Sequence, residues 1–228
     1  MVWSAWAKQG VVEEYEVPSE KVTVIPPGVN VHEWTRPTPR QPKPDQPVRI
    51  LFVGGNLERK GGYILLDAFR ALRAEAEQGE IPNVELHLAT RDKLEPESGL
   101  FVYNDMQPNS APLKKLYHDC DIFCLPTYGD CLPMVLSEAG AAGLPMISTN
   151  VAAIPELVLN DKTGFIVPTG DVPSLRDALR KLVEDANLRQ AQADAAVTAV
   201  SKSYSAADNA QALLNLLKHT ADTYGSPA

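Results

Sequence analysis

Short, almost wholly apolar segments alternate with amphipathic ones along most of this 228-residue chain, and this alternation restricts the possible folds. Strands that are apolar on both sides are typical of a buried parallel sheet, because helices must then cover both faces. The sequence therefore predicts an α/β fold, a parallel sheet with helices on both faces. The predicted strands are Val48–Val53, Val84–Ala89, Phe101–Tyr103, Asp121–Leu125, Met146–Thr149 and Gly164–Val167.

The segment before Val48 has a different pattern. Ser4 to Tyr15 is predicted to be a short helix capped by Ser4. Lys21 to Ile25 alternates and stops at two prolines, which predicts a strand and a turn. The proline-rich stretch from Arg36 to Pro47 is predicted to be an extended surface connection. Helices are expected from Gly61-Gly62 onward, at Ala111–His118, Pro133–Ala142, Ile154–Leu157, Val172–Glu184, Asn187–Ser201 and Ala206–Thr220.

Composition excludes some classes of function. Hydrophobic residues make up 44% and charged residues 22% of the chain, as in ordinary globular domains. The net charge of −8 argues against a broad nucleic-acid surface, so no nucleic-acid partner is expected. The three cysteines form no C-x-x-C pair, which argues against a zinc site or a disulfide framework and favours a reducing, cytoplasmic compartment.

The first candidate site contains two carboxylates, Asp130 and Glu138, eight positions apart. Asp130 lies between an apolar strand and a predicted helix, and Glu138 lies two turns inside that helix. The helix start exposes backbone N–H groups that suit an anion. The small residues Ala139 to Gly143 are expected to let this helix pack tightly on the sheet. The alternative interpretation is a capping Asp and a Glu on a solvated face.

The second candidate is the loop Gly54–Gly62, which follows the first strand of the sheet. Its glycines allow close backbone approach, and Arg59 and Lys60 supply positive charge suited to a diphosphate. It lacks the patterns of a P-loop and of a G-x-G-x-x-G fingerprint. A flexible loop with two solvated cations remains an equal alternative. Both candidates leave strands at their carboxyl ends, so they should lie close together.

Other clusters are weaker. Asp119-Cys120-Asp121 could hold a metal, but a helix end followed by a strand start explains it better. The four histidines show no ligand spacing, and His87 is predicted to be packed within a strand. Cys131 has no neighbouring histidine to activate it and is assigned to the lining of the site. No metal site is predicted.

Several segments of the chain, taken in the order in which they occur, resemble the C-terminal half of the retaining GT-B glycosyltransferases of family 4, the glycosyl transferases group 1. The resemblance extends from about Ser4 to the last helix, and its segments are specific only in combination. They are Val24–Asn30, Phe52–Gly55, Lys60-Gly61, Leu65–Phe69, Asp121–Pro126, Ser137–Ala139, Gly143–Pro145 and Ile154–Val158.

The resemblance implies a Rossmann-like donor domain that binds a nucleotide diphospho-sugar. Glu138 would hold the ribose, Asp130 would lie by the donor sugar, and Lys60 would contact the diphosphate. The base would rest against the segment 103–106. The expected donor-binding residues are Gly54, Gly55, Arg59, Lys60, Asp130, Cys131, Leu132, Met134 and Glu138.

Three departures from the family pattern affect this assignment. Asp stands at 130 in place of Glu, and Leu132-Pro133 replaces the common Phe-Gly pair. The usual phosphate arginine falls at Gly55, so Arg59 is expected to take its role. Asp130, Lys60 and Arg59 are the expected catalytic residues, with no obligatory metal or other cofactor.

The resemblance also implies an N-terminal domain, carrying the acceptor pocket, that this chain lacks. Residues 1–47 and 48–203 are assigned to one nucleotide-sugar-binding domain, and residues 204–228 to a helix that would cross back to the absent half. The chain is then a separated C-terminal domain or a truncated gene product. The expected activity is that of a hexosyl- or glycosyltransferase acting on an unidentified saccharide, lipid or small-molecule acceptor. A binding module without turnover is the alternative; a GT-B epimerase would need an acid/base set that is not found.

Overall fold

The computed structural model describes residues 1–38 and 46–224. Residues 39–45, the larger part of the predicted proline-rich connection, lie outside the described residues.

The described residues form a six-stranded parallel sheet in the order β3-β2-β1-β4-β5-β6. The strand order reverses between β1 and β4, which pair side by side through Ile50–Ile122 and Leu51–Phe123. In such sheets a crevice forms beyond the carboxyl ends of the strands at this reversal. The strands are β1 Val48–Val53, β2 Val84–Ala89, β3 Leu100–Tyr103, β4 Ile122–Leu125, β5 Met146–Thr149 and β6 Gly164–Val167.

Helices cover both faces of this sheet, as the apolar strands predicted. Every residue of β4 and β5 is buried, which requires helices on either side. The Oγ of Ser4 accepts a hydrogen bond of 3.0 Å from the Ala7 N–H and caps the first helix. The helices are α1 Ala5–Glu14, α2 Val31–Trp34, α3 Gly62–Glu77, α4 Ala111–Asp119, α5 Met134–Ala141, α6 Ile154–Leu157, α7 Val172–Glu184, α8 Ala186–Ser203 and α9 Ala206–Tyr224.

Gly140 on α5 has a packing partner in addition to the predicted sheet. A Cβ on Gly140 would lie 2.5 Å from a methyl carbon of Val200 on α8 and 3.5 Å from Cε of Met146 on β5. Gly140 therefore lets α5 approach another helix closely while α5 packs on the sheet. That approach holds α5 in place from its outer side.

The predicted strand Lys21–Ile25 is wrong. Val24 forms a single bridge with Val2, through hydrogen bonds of 2.9 Å from Val2 N to Thr23 O and from Ile25 N to Val2 O. Pro26, which follows Ile25, has no N–H that could extend the pairing. The short helix α2 was not predicted; its Trp34 is buried against Tyr117.

Among the described residues, no helix is both long and apolar enough to cross a membrane.

Candidate functional site

The two candidate loops meet at the carboxyl edge of the sheet, where β1 and β4 lie side by side. The Arg59 carbonyl accepts a hydrogen bond of 3.0 Å from the Tyr128 N–H. The Arg59 guanidinium donates one of 2.7 Å to the Gly129 carbonyl. Lys60 forms an ion pair with Asp130. Residues 70 positions apart are thus joined by main-chain and side-chain contacts.

Gly61 makes this meeting possible. It has a φ of +72°, and a Cβ there would lie 1.9 Å from the Pro126 carbonyl oxygen. Only glycine combines this left-handed conformation with so close an approach. The Gly54–Gly62 loop therefore crosses directly over the end of β4 before α3 begins.

The Lys60–Asp130 pair is largely removed from solvent, with side chains that are 15% and 18% exposed. Burial and the neighbouring Arg59 lower the pKa of Lys60 to about 8. The Asp130 carboxylate in contact with the ammonium opposes this decrease and favours the charged form. The ion pair with Asp130 thus stabilises the charged form of Lys60 at a position where desolvation disfavours a charge.

Backbone N–H groups without a partner follow Asp130. Helix α5 begins after Pro133 without a side-chain cap. Within residues 1–38 and 46–224, no acceptor takes the N–H groups of Met134 and Val135. Unpaired amides at a helix start attract anions. The segment between is held in place, because the Cys131 carbonyl accepts a hydrogen bond of 3.1 Å from Ala153 N.

The side chains of this segment point to different surroundings. Cys131 is exposed, Leu132 is buried in the core, and Met134 is half-buried. The main chain of these residues, rather than the Leu132 side chain, is what a ligand could reach.

Glu138 lies deeper along α5 and has a separate partner. The Tyr117 hydroxyl donates a hydrogen bond of 2.9 Å to its carboxylate. Burial raises the pKa of Glu138, while the Tyr117 hydrogen bond and the charge of Lys114 oppose the increase. No hydrogen bond or ion pair joins Glu138 to the Lys60–Asp130 pair in the described part of the chain.

A cleft of about 710 Å³ opens beside the glycine loop. It is lined by Asn56, Glu58, Arg59 and Tyr128, so the face of the loop is polar and accessible. The N–H of Gly54 is used, since it donates a hydrogen bond of 2.9 Å to the Ala89 carbonyl.

Two residues that the sequence did not single out lie at the site. Tyr117 is fully buried and fixes the Glu138 carboxylate. The side chain of Arg91, which follows β2, lies against Gly55, where a Cβ would be 3.6 Å from its Nε. Neither belongs to a recognisable motif, and both come from elements distant in sequence.

The weaker candidates do not join the site. Asp121 precedes β4 at the opposite edge of the sheet, where it accepts a hydrogen bond of 2.8 Å from the Arg49 N–H. Asp119 pairs with Lys115. His87 is buried and stacks on Phe101 with ring centroids 4.8 Å apart, which confirms that it is packed. No cluster of three or more metal-binding side chains occurs among the residues described.

Comparison with known proteins identifies the family. A sequence profile described as Glycosyl transferases group 1 matches residues 47–185. The chain belongs to this family. A putative colanic acid biosynthesis glycosyltransferase, WcaL of Escherichia coli, is 33% identical over 189 residues, or 76% of the chain. The chain spans only 44% of the length of WcaL.

Solved structures of other proteins show the same fold. HepE of Anabaena, solved in complex with UDP, superposes with a TM-score of 0.76 at 16% identity over 96% of this chain and 63% of HepE. The C-terminal domain of LpcC, a group 1 family protein of Francisella tularensis, gives a TM-score of 0.63 at 17% identity. That match covers 78% of this chain and 98% of the LpcC domain. The fold is therefore the Rossmann-like C-terminal half of a GT-B glycosyltransferase.

Proposed function

We propose that this chain binds a nucleotide diphospho-sugar, as the donor domain of a retaining glycosyltransferase of family 4. The observation that carries the proposal is the joining of Arg59, Lys60 and Asp130 at the carboxyl edge of β1 and β4. These cations lie beside the open cleft of the glycine loop. Such a site suits a diphosphate, because charge-assisted hydrogen bonds and free amides converge on it.

In this proposal each candidate residue has a place along the donor. Glu138 accepts hydrogen bonds from the ribose hydroxyls, and Asp130 lies by the sugar. Lys60, Arg59 and the amides after Cys131 hold the diphosphate. Gly54 and Gly55 let the loop backbone approach it closely. HepE, a structural neighbour that was solved with UDP-glucose, supports a nucleotide diphospho-sugar as the class of donor.

The same groups act in the transfer step. When the bond between the sugar and the diphosphate breaks, negative charge grows on the leaving phosphate oxygen. Cations and fixed amides aimed at that oxygen stabilise the transition state. In a retaining transfer the acceptor attacks from the face that the diphosphate leaves, so the site has to hold the diphosphate throughout. The proposal requires no metal ion.

Titration calorimetry with UDP, GDP and ADP tests the site. We expect the unaltered chain to bind at least one of them. Lys60→Ala and Glu138→Ala should each weaken that binding about tenfold or more, because each removes a charged hydrogen-bonding partner. Lys162→Ala, at an exposed turn, is the matched control. Unchanged affinity in both site variants would refute the assignment.

A second candidate is a module that binds the donor without transferring the sugar. It requires only the donor site formed by the two loops, whereas transfer also requires a bound acceptor. Incubation of the chain with UDP-glucose and a panel of sugar and lipid acceptors distinguishes the two. Product formation refutes the second candidate, and donor binding without product supports it.

We also propose the domain arrangement that the family implies. Residues 1–47 and 48–203 then form the donor domain, and the segment 204–228, of which the structure describes α9 as far as Tyr224, crosses back to an N-terminal half. The exposed Leu214 and Leu217 on α9 support this. Faster hydrogen exchange in α9 than in α8 is expected, and equal protection would contradict it. We propose the cytoplasm as the compartment, because no disulfide joins the cysteines in the described part of the chain, as is usual for proteins of a reducing compartment.

A further inference from the structure

We infer that Arg91 is a diphosphate-binding residue of this site and that it acts from the loop after β2, across the bare backbone of Gly55. The inference rests on the proposed function, since it adds one group to the same donor site. It replaces the expectation that Arg59 alone supplies the arginine of the site.

The position of the Arg91 side chain is the first observation. A Cβ built on Gly55 would lie 3.6 Å from Nε, 3.7 Å from Cδ and 3.9 Å from Cζ of Arg91. The side chain of Arg91 therefore lies in van der Waals contact with the position that a Cβ at residue 55 would take. It runs beside the glycine backbone of the Gly54–Gly62 loop.

The backbone on either side of Arg91 is held by hydrogen bonds. The Asp92 carboxylate accepts one of 2.6 Å from the Leu57 N–H, which ties this loop to the glycine loop. The Asn104 side-chain amide donates to the carbonyls of Thr90 and Asp92, at 3.1 and 2.9 Å. Arg91 thus projects from a fixed backbone rather than from a loose loop.

The third observation is that the neighbouring cations already have partners within the described part of the chain, whereas Arg91 does not. The Arg59 guanidinium donates to Gly129 and the Lys60 ammonium pairs with Asp130. Within residues 1–38 and 46–224, Arg91 is exposed and has no hydrogen bond or ion pair. Its guanidinium keeps all five N–H donors for a ligand, in the fork that matches phosphate oxygens.

Calorimetry with UDP, GDP and ADP tests the inference. We expect Arg91→Ala to weaken the bound nucleoside diphosphate about tenfold or more. The matching nucleoside without phosphates should show no such loss. Lys93→Ala removes the same charge from the same loop, two positions along and exposed, and should have a much smaller effect. Arg91→Lys, which keeps the charge but loses the fork, should fall between the two.

A compensating pair makes the test specific. A side chain at position 55 should gain room once Arg91 is shortened, because the three heavy atoms nearest to a Cβ there all belong to Arg91. The double variant Gly55→Arg with Arg91→Ala should therefore recover most of the lost affinity. Gly55→Arg alone should not strengthen binding, since two guanidinium groups would compete for one space.

The outcomes separate this inference from the proposed function. If the unaltered chain binds a diphosphate and Arg91→Ala equals Lys93→Ala, the inference is overturned while the proposed function stands. If the unaltered chain binds none of the three diphosphates, both are overturned. Circular dichroism of every variant checks that a loss of binding is not a loss of fold.

Discussion

The Tyr117 hydroxyl donates a hydrogen bond of 2.9 Å to the Glu138 carboxylate, across the space between α4 and α5. Tyr117 is fully buried, and Trp34 and Phe123 pack on its ring. The Glu138 carboxylate, whose pKa is raised by burial, is therefore oriented by the tightly packed side chain of Tyr117. Folding alone would favour a neutral side chain at position 138, because burial disfavours the charge.

Glu138→Gln should raise the free energy of unfolding at neutral pH while it weakens nucleotide binding. The folded-state pKa of Glu138 is raised by burial, so ionisation costs stability as the pH rises from the ordinary Glu value of about 4.3. The variant lacks this cost. The gain in Tm should therefore be present at pH 7–8 and disappear below about pH 4.

Thermal unfolding across that pH range measures the effect. Glu95→Gln, at an exposed position, is the matched control and should leave Tm unchanged. A Glu138→Gln variant that is less stable than the unaltered chain at pH 8 would contradict the prediction.

Tyr117→Phe should lower nucleotide affinity without disturbing the core. The ring stays packed, but Glu138 loses the hydrogen bond that orients it and lowers its pKa. We expect a loss of about 1 kcal/mol in the free energy of unfolding and a several-fold weaker affinity. Tyr204→Phe, at a buried tyrosine near the start of α9, should leave affinity unchanged. Equal affinities for both variants would show that Tyr117 has no positioning role.

Asp130→Asn should make diphosphate binding more sensitive to alkaline pH. Burial and Arg59 already lower the pKa of Lys60 to about 8 in the unaltered chain. The Asp130 carboxylate opposes this decrease, so the pKa of Lys60 should fall further in the variant. Affinity should therefore be lost at a lower pH in the variant than in the unaltered chain. Calorimetry at intervals between pH 6 and pH 9 measures both, and coincident pH profiles would argue against the electrostatic role of the pair.

Gly61→Ala should lower the free energy of unfolding by about 2 kcal/mol or more. An alanine is strained at this positive φ, and its Cβ clashes with the Pro126 carbonyl oxygen. For a chain of this size that corresponds to a fall in Tm of about 4–8 °C. Gly79→Ala isolates the strain, since Gly79 has a similar φ of +76° and nothing within 4 Å of its added Cβ. Urea unfolding of both variants gives the difference. Equal losses in the free energy of unfolding would mean that the Gly54–Gly62 loop does not approach Pro126 closely.

The sheet and the meeting of the two loops were predictable from the sequence. The residues of Val48–Val53 and Met146–Thr149 are apolar enough to show their strands without any tertiary information, and the structure gives those bounds. Parallel strands place their carboxyl ends together, so the contact between Lys60 and Asp130 follows from topology. The six-stranded sheet in the order β3-β2-β1-β4-β5-β6 confirms the predicted Rossmann-like fold.

Other features depend on side-chain direction or on partners distant in the chain. Arg91 and Tyr117 carry no local signal, because their relation to Gly55 and Glu138 arises only when separate elements pack. The strand predicted at Lys21–Ile25 does not form for a related reason, since among the residues that the structure describes this segment bridges to Val2 alone. The packing role of Gly140 likewise requires knowing that Val200 lies above it.

Two hydrogen bonds, from the Tyr128 N–H to the Arg59 carbonyl and from the Arg59 guanidinium to the Gly129 carbonyl, join the two loops without a ligand. A ligand entering this site would meet a preformed surface and would lose little binding free energy to ordering of these loops. The heat-capacity change on binding should accordingly reflect only the surface buried between the ligand and the site, with no contribution from folding of the loops.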